Sequence, residues 1–132
     1  MVEMHGWVTI RASYRDTEDD SIDQVVAEIN KGFQEINHIN PELKWMNGEV
    51  FFQYSLYTNH WSDDCKELLK LYELISEKAE GSYGLLYILN DESDSDYNYF
   101  VVYRLARGKL EKALDSFLSP FVPVVEDDSN LK

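Results

Sequence analysis

Three histidines, one cysteine and 25 carboxylates are the side chains from which this 132-residue chain would build catalytic or metal chemistry. His5, His38 and His60 belong to no HExxH or other metal-ligand spacing, so each reads as a surface or turn histidine. Cys65 falls on the apolar stripe of a helical pattern and reads as a packed thiol. Four acids nearby in sequence, Asp63, Asp64, Glu67 and Glu73, are the wrong surroundings for a nucleophilic thiolate. A single cysteine also excludes an intrachain disulfide and a cysteine-rich zinc site. Asp94-Ser95-Asp96-Tyr97-Asn98 opens like a calcium loop, but Tyr99 stands where the loop needs glycine and Leu105 where it needs the closing glutamate. The six glycines are scattered singly and form no phosphate loop. No pair of carboxylates is marked for acid–base work, which needs controlled separation in a cleft. The sequence therefore assigns no catalytic residue, no metal site and no cofactor.

What the carboxylates do carry is charge, and it comes in blocks. With 25 Asp and Glu against 12 Lys and Arg, the formal net charge is −13. Asp16, Glu18, Asp19, Asp20, Asp23 and Glu28 follow one another without an intervening base. So do Asp91, Glu92, Asp94 and Asp96, and the chain runs out through Glu126, Asp127 and Asp128. Such blocks attract a basic partner and repel phosphate backbones and anionic lipid, which disfavours direct nucleic-acid binding. Charge alone is better explained as a solvated, solubilising surface.

The elements that must position these blocks are legible from periodicity. Residues 2–14 alternate as a strand, with Val8, Ile10 and Ala12 on one face and Trp7, Thr9 and Arg11 on the other. Ser21-Ile22-Asp23-Gln24 has the form of a capping box. It opens a helix over 22–36 whose stripe is Ile22, Val25, Val26, Ile29, Phe33 and Ile36. Strands over 43–47 and 49–58 flank Asn47-Gly48, a pair suited to a tight hairpin. Ser62 caps a second helix with stripe Cys65, Leu68, Leu69, Tyr72, Ile75 and Ala79, ended by Gly81. Strands over 83–90 and 99–107 follow, joined by the acidic segment 91–96.

This order predicts one α+β domain over 1–132. Two helices cover one face of a mainly antiparallel sheet, in a ferredoxin-like βαββαβ pattern with an added C-terminal strand and an extended tail. The 44% apolar content is enough for a single core, and no apolar run approaches the ~20 residues of a membrane helix. With no basic-then-apolar leader at Met1-Val2-Glu3-Met4-His5, a cytoplasmic location and no membrane partner are expected. Trp7, Arg11, Phe51, Gln53 and Tyr57 share the sheet parity opposite to the helices. That aromatic face would either dock a ligand or be covered by the tail or a second copy of the chain.

The ends of the chain carry a more specific signal. Gly6-Trp7 in the first strand, Ala106-Arg107-Gly108 after the fifth, Phe117-Leu118-Ser119-Pro120, Pro123 and Glu126-Asp127 occur in that order. In this combination the chain resembles the immunity protein 7 family of bacterial polymorphic toxin systems, from Gly6 to Asp127. The resemblance implies a non-enzymatic protein, encoded beside a toxin, that binds and neutralises the toxin's C-terminal domain. The motif residues themselves read as structural. Gly6 would allow close backbone approach or a bulge and Gly108 a turn. Phe117 and Leu118 would anchor the tail, with Pro120 and Pro123 holding it extended, unless Leu110, Ala113, Leu114 and Phe117 form a short helix.

Partner contacts are then expected in the acidic blocks, against a toxin that is a nuclease with a basic substrate cleft. The first choice is Asp91, Glu92, Asp94 and Asp96 with Tyr97 as an aromatic anchor; the second is Asp16, Glu18, Asp19 and Asp20. Two other classes stay open, a small-molecule or peptide binding module on the aromatic face and an enzyme with an unadvertised cleft. Oligomeric state and toxin identity are not encoded legibly.

Overall fold

The computed structural model of the protein describes residues 1–15 and 21–129. Its elements run β1 (Val2–Ile10), α1 (Ile22–Gln34), β2 (Lys44–Met46), β3 (Glu49–Thr58), α2 (Asp63–Lys78), β4 (Tyr83–Asn90), β5 (Val101–Ala106), β6 (Lys109–Leu114) and a short turn of helix α3 (Phe121–Val124). The sheet has six strands in the order β2-β3-β1-β4-β5-β6, and every neighbouring pair is antiparallel. The first four positions are the split βαβ order expected of a ferredoxin-like core, with β1 between β3 and β4. The addition is a hairpin of two strands rather than one strand.

Parity decides what the sheet buries. Val2, Met4, Val8 and Ile10 of β1, Val50, Phe52 and Leu56 of β3 and Leu86 and Ile88 of β4 face the helices and are buried. They meet Val25, Ile29 and Phe33 of α1 and Leu68, Leu71, Tyr72 and Ile75 of α2 in one core cluster. Cys65 belongs to that cluster, fully buried, with its sulfur 3.4 Å from Thr58 Oγ1. Phe52 receives both Phe33 and Tyr72 edge-on at 5.8 Å, a favoured aromatic geometry.

Gly6 has a sharper role than a bulge. The β1 register is unbroken through it, pairing Gly6 with Tyr54 on one side and Leu86 on the other. A Cβ built at Gly6 would collide with the Tyr72 hydroxyl, which reaches in from α2 and donates to the Leu85 carbonyl at 2.8 Å. Burial pushes the Tyr72 pKa well above the ordinary tyrosine range, so the hydroxyl stays a donor.

The helix ends differ from expectation in one respect. Ser21 and Ser62 hold the N-cap positions, but neither side chain makes the capping hydrogen bond; their carbonyls receive Val25 N–H and Lys66 N–H instead, each at 3.1 Å. The link after α1 is tied by Glu67 of α2. Its carboxylate accepts the backbone N–H groups of Asn37, His38 and Ile39 at 3.1, 2.8 and 3.1 Å. Desolvation pushes the Glu67 pKa up, but these three donors outweigh it and leave the carboxyl below its ordinary value.

Both hairpins turn through left-handed pairs. Asn47 and Gly48 (φ 52° and 81°) join β2 to β3, and Arg107 and Gly108 (φ 53° and 70°) join β5 to β6. The second hairpin replaces the helix suggested by Leu110, Ala113 and Leu114. Their helical spacing loses to cross-strand pairing of Leu110 with Leu105 and Leu114 with Val101. β1 also stops at Ile10, four residues before the alternation suggested.

The tail after β6 folds back over the face without helices. Asp115 N–H donates to the Phe100 carbonyl at 2.9 Å, and Phe100 N–H donates to Ser119 Oγ at 2.9 Å. The Asp115 carboxylate accepts Phe117 N–H, Leu118 N–H and the Ser119 hydroxyl at 3.2, 2.8 and 3.3 Å. Asn98 pairs with Val122 like a fragment of sheet, its amide accepting Val122 N–H at 2.9 Å and donating to the Val122 carbonyl at 3.0 Å. Ser119–Pro120 and Val122–Pro123 are both cis, and Pro120 has extended backbone angles (φ −66°, ψ 141°). Phe117 and Leu118 do not anchor the tail. They are 85% and 53% exposed, and the polar contacts of Asp115, Ser119 and Asn98 do that work with Phe121 packed on Phe100.

Candidate functional site

Antiparallel pairing of Val2 with Thr58 and Asn90 puts the start of β1, the end of β3 and the end of β4 at one end of the sheet. The acidic segment after β4 and the first turn of α2, carrying Asp63 and Asp64, therefore share that end. Asp91 takes the Met1 ammonium at 2.5 Å, and Glu92 lies 3.7 Å from the same group. The Asp91 hydrogen bond, with the charges of Asp91 and Glu92, outweighs desolvation and raises the Met1 ammonium pKa. Glu92 also receives His60 Nδ1 at 2.6 Å, and Asp96 lies 3.6 Å from Lys112 Nζ. Asp94 has no ion pair among the described residues.

The tip is internally braced. Glu92 N–H donates to Asn90 Oδ1 at 3.1 Å and Asp96 N–H to Ser93 Oγ at 3.2 Å. Tyr97, 61% exposed, stands at its end with an aromatic ring offered to solvent. Folding adds the third acidic block to the first-choice residues. Asp91 and Tyr97 line a cavity of about 520 Å³ together with Phe121, Glu126, Asp127 and Asp128. The sequence displayed those last acids, but only the tail's return along Asn98 brings them to the tip. The second-choice residues Asp16, Glu18, Asp19 and Asp20 lie outside the described residues.

The opposite end carries both signs, with Glu49, Glu80 and Glu111 beside the bases. Arg104, Arg107 and Lys109 line a cavity with Tyr14 and Glu111; Arg107 sits over the Tyr14 ring at 4.3 Å, and Arg104 pairs with Glu111 at 2.8 Å.

The aromatic sheet face is half covered. Trp7 and Tyr83 meet edge-on at 6.1 Å and remain 40% and 44% exposed, while the tail crosses the neighbouring rows of Tyr87 and Phe100. Under the tail lies a cavity of about 570 Å³ lined by Glu3, His5, Tyr87, Phe100, Phe121 and Val125, with Asp115, Phe117 and Leu118 at its rim. Two polar groups on its floor are joined, His5 Nε2 to Glu3 Oε2 at 2.7 Å, and His5 Nδ1 continues to Ser55 Oγ at 3.1 Å. Serine, histidine and glutamate in a row suggest a hydrolytic relay. The cavity that His5 and Glu3 line does not include Ser55, so nucleophile and base share no substrate volume there. Among the described residues no group of three or more His, Cys, Asp or Glu is placed to hold a metal ion, and no helix is long and apolar enough to cross a membrane.

Comparison with known proteins gives one match. The family model described as immunity protein 7 aligns with residues 1–127 of the 132. No curated protein and no solved structure matches.

Proposed function

The chain belongs to the immunity protein 7 family, the immunity proteins of toxin systems, and from that premise we propose that it neutralises a nuclease toxin by placing its acidic end against the toxin's basic substrate cleft. The observation that carries this reading is that Asp91 and Tyr97 share one cavity with Glu126, Asp127 and Asp128, at the end of the sheet where the acidic segment leaves β4. A nuclease cleft must be cationic to hold phosphate. An acidic surface of matching shape competes for those cations and accelerates encounter, up to about 10⁸–10⁹ M⁻¹s⁻¹ at low salt. Tyr97 supplies the amphipathic ring that interfaces favour at their centre. Inhibition is by occupation, in the cytoplasm of the producing cell, without chemistry by the inhibitor and without its binding nucleic acid.

The test is calorimetric titration with the C-terminal domain of the toxin encoded beside this chain, at low and high salt. Tight one-to-one binding that weakens as salt rises is expected. Absence of binding at both salts would sink the reading, and binding indifferent to salt would remove the basic cleft from it.

A further inference from the structure

Resting on the reading of the partner as a basic toxin domain, we propose that the cavity between the tail and the open sheet face seats an aromatic or long aliphatic side chain of that partner, flanked on the partner by Lys or Arg.

The cavity's own chemistry selects the anchor. Its walls are Tyr87, Phe100, Phe121 and Val125, and the titratable side chains Glu3, His5 and Asp115 around it are already engaged. His5 is bonded to Glu3 and Ser55, and the Asp115 carboxylate accepts three donors from its own turn. An occupant therefore finds mainly apolar surface, which favours a hydrocarbon or ring over a charged ligand. At about 570 Å³ the space accommodates a large side chain with part of its neighbours.

The rim is prepared for contact. Exposed apolar side chains concentrate in this region, with Phe117, Leu118, Val124 and Val125 each at least half exposed. Phe117 and Leu118 are held there by a turn whose two N–H groups are bonded to Asp115. With the backbone that carries them held, these apolar side chains can close over an anchor and exclude water from it, the arrangement of an interface hot spot.

Charge complementarity selects the partner. Phe121 lines both this cavity and the one that holds Asp91, Glu126, Asp127 and Asp128, so the apolar seat and the acidic seat are separated by a single side chain. A free fatty acid or other anionic amphiphile would meet those carboxylates and be repelled. A protein surface carrying an apolar anchor beside cations satisfies both seats together.

The experiment uses the full chain, the cognate toxin domain and two variants, Phe117→Ser/Leu118→Ser and Val125→Trp. The first strips the rim and the second fills the cavity, and all the altered side chains are exposed, so the fold is retained. Each variant is expected to weaken toxin binding by tenfold or more, mainly through faster dissociation, and by the same factor at low and high salt. Wild-type affinity in both variants overturns the inference while leaving the inhibitor reading intact. A loss seen only at low salt assigns the effect to charge and also overturns it. If the wild-type chain sediments as a dimer and Phe117→Ser/Leu118→Ser as a monomer, the seat belongs to a second copy and the inference fails. If the wild-type chain does not bind the toxin at all, the inhibitor reading falls and this inference with it.

Discussion

The Tyr72 hydroxyl occupies the volume that a side chain on Gly6 would need, and from there donates to the Leu85 carbonyl at 2.8 Å. One residue in β1, one in α2 and one backbone carbonyl of β4 are thereby locked in a single arrangement at the centre of the core. Gly6 of the Gly-Trp pair at the head of the chain thus serves the fold, as glycine where a helix must touch a strand.

Gly6→Ala is expected to destabilise the protein by about 2 kcal/mol, because a buried methyl group forces the Tyr72 ring aside. Tyr72→Phe alone costs about 1 kcal/mol through loss of the Leu85 hydrogen bond. The double variant costs less than the sum, since removing the hydroxyl makes room for the methyl. Urea unfolding of the four proteins checks this; strict additivity would refute the packing account.

Asp115→Ala removes the acceptor for Phe117 N–H, Leu118 N–H and the Ser119 hydroxyl. A global loss of about 1–3 kcal/mol is expected. Limited proteolysis should show early cleavage between residues 115 and 125, in a stretch the wild-type chain protects.

Glu67 makes a pH-dependent contribution whose sign follows from its depressed pKa. The unfolded carboxyl binds its proton first as pH falls, so the stabilisation is complete above the ordinary glutamate pKa of about 4.3 and is lost on acidification through the folded value. Glu67→Gln flattens this part of the profile. The group is partly solvated, so screening by solvent keeps the difference at neutral pH small. Urea midpoints of both proteins from neutral pH down to strongly acidic conditions measure it, and parallel profiles would exclude Glu67 as the source.

Replacing Asp91, Glu92, Asp94 and Asp96 by Asn or Gln should slow association with the toxin domain by tenfold or more at low salt and flatten its salt dependence. The ion pairs lost with them lie at the surface, where such pairs add little to stability, so folding survives. Stopped-flow association rates decide the matter. Unchanged rates would remove the tip from the interface while leaving the inhibitory role standing.

Much of this architecture was legible in residue types. Period-two alternation located β1 and β3, a run of Tyr and Leu located β4, Asn47-Gly48 located the first hairpin, and the apolar stripes located α1 and α2. The β5–β6 hairpin was harder to read, because Leu110, Ala113 and Leu114 fit a helix as well as a strand and only pairing with β5 separates the two. The tail escaped for a different reason. Phe117 and Leu118 look like anchors by hydrophobicity, yet Asp115, Ser119 and Asn98 hold the chain through backbone donors, an interaction that leaves no periodic trace. The acidic tip was visible as composition. Its union with Glu126, Asp127 and Asp128 required the fold, because Asn98 and Val122 are 24 residues apart in the chain.

Holding like charges together at one end has a thermodynamic consequence for the free protein. Asp91, Glu126 and Asp127 line one cavity and repel one another in a folded arrangement that an unfolded chain would relax, so the acidic end is a standing load on stability. Added salt screens that repulsion and should raise the melting temperature of the isolated protein while it loosens the complex. On the proposed reading, toxin binding and robustness respond to ionic strength with opposite signs, and selection for tighter inhibition would push this end of the molecule toward lower intrinsic stability.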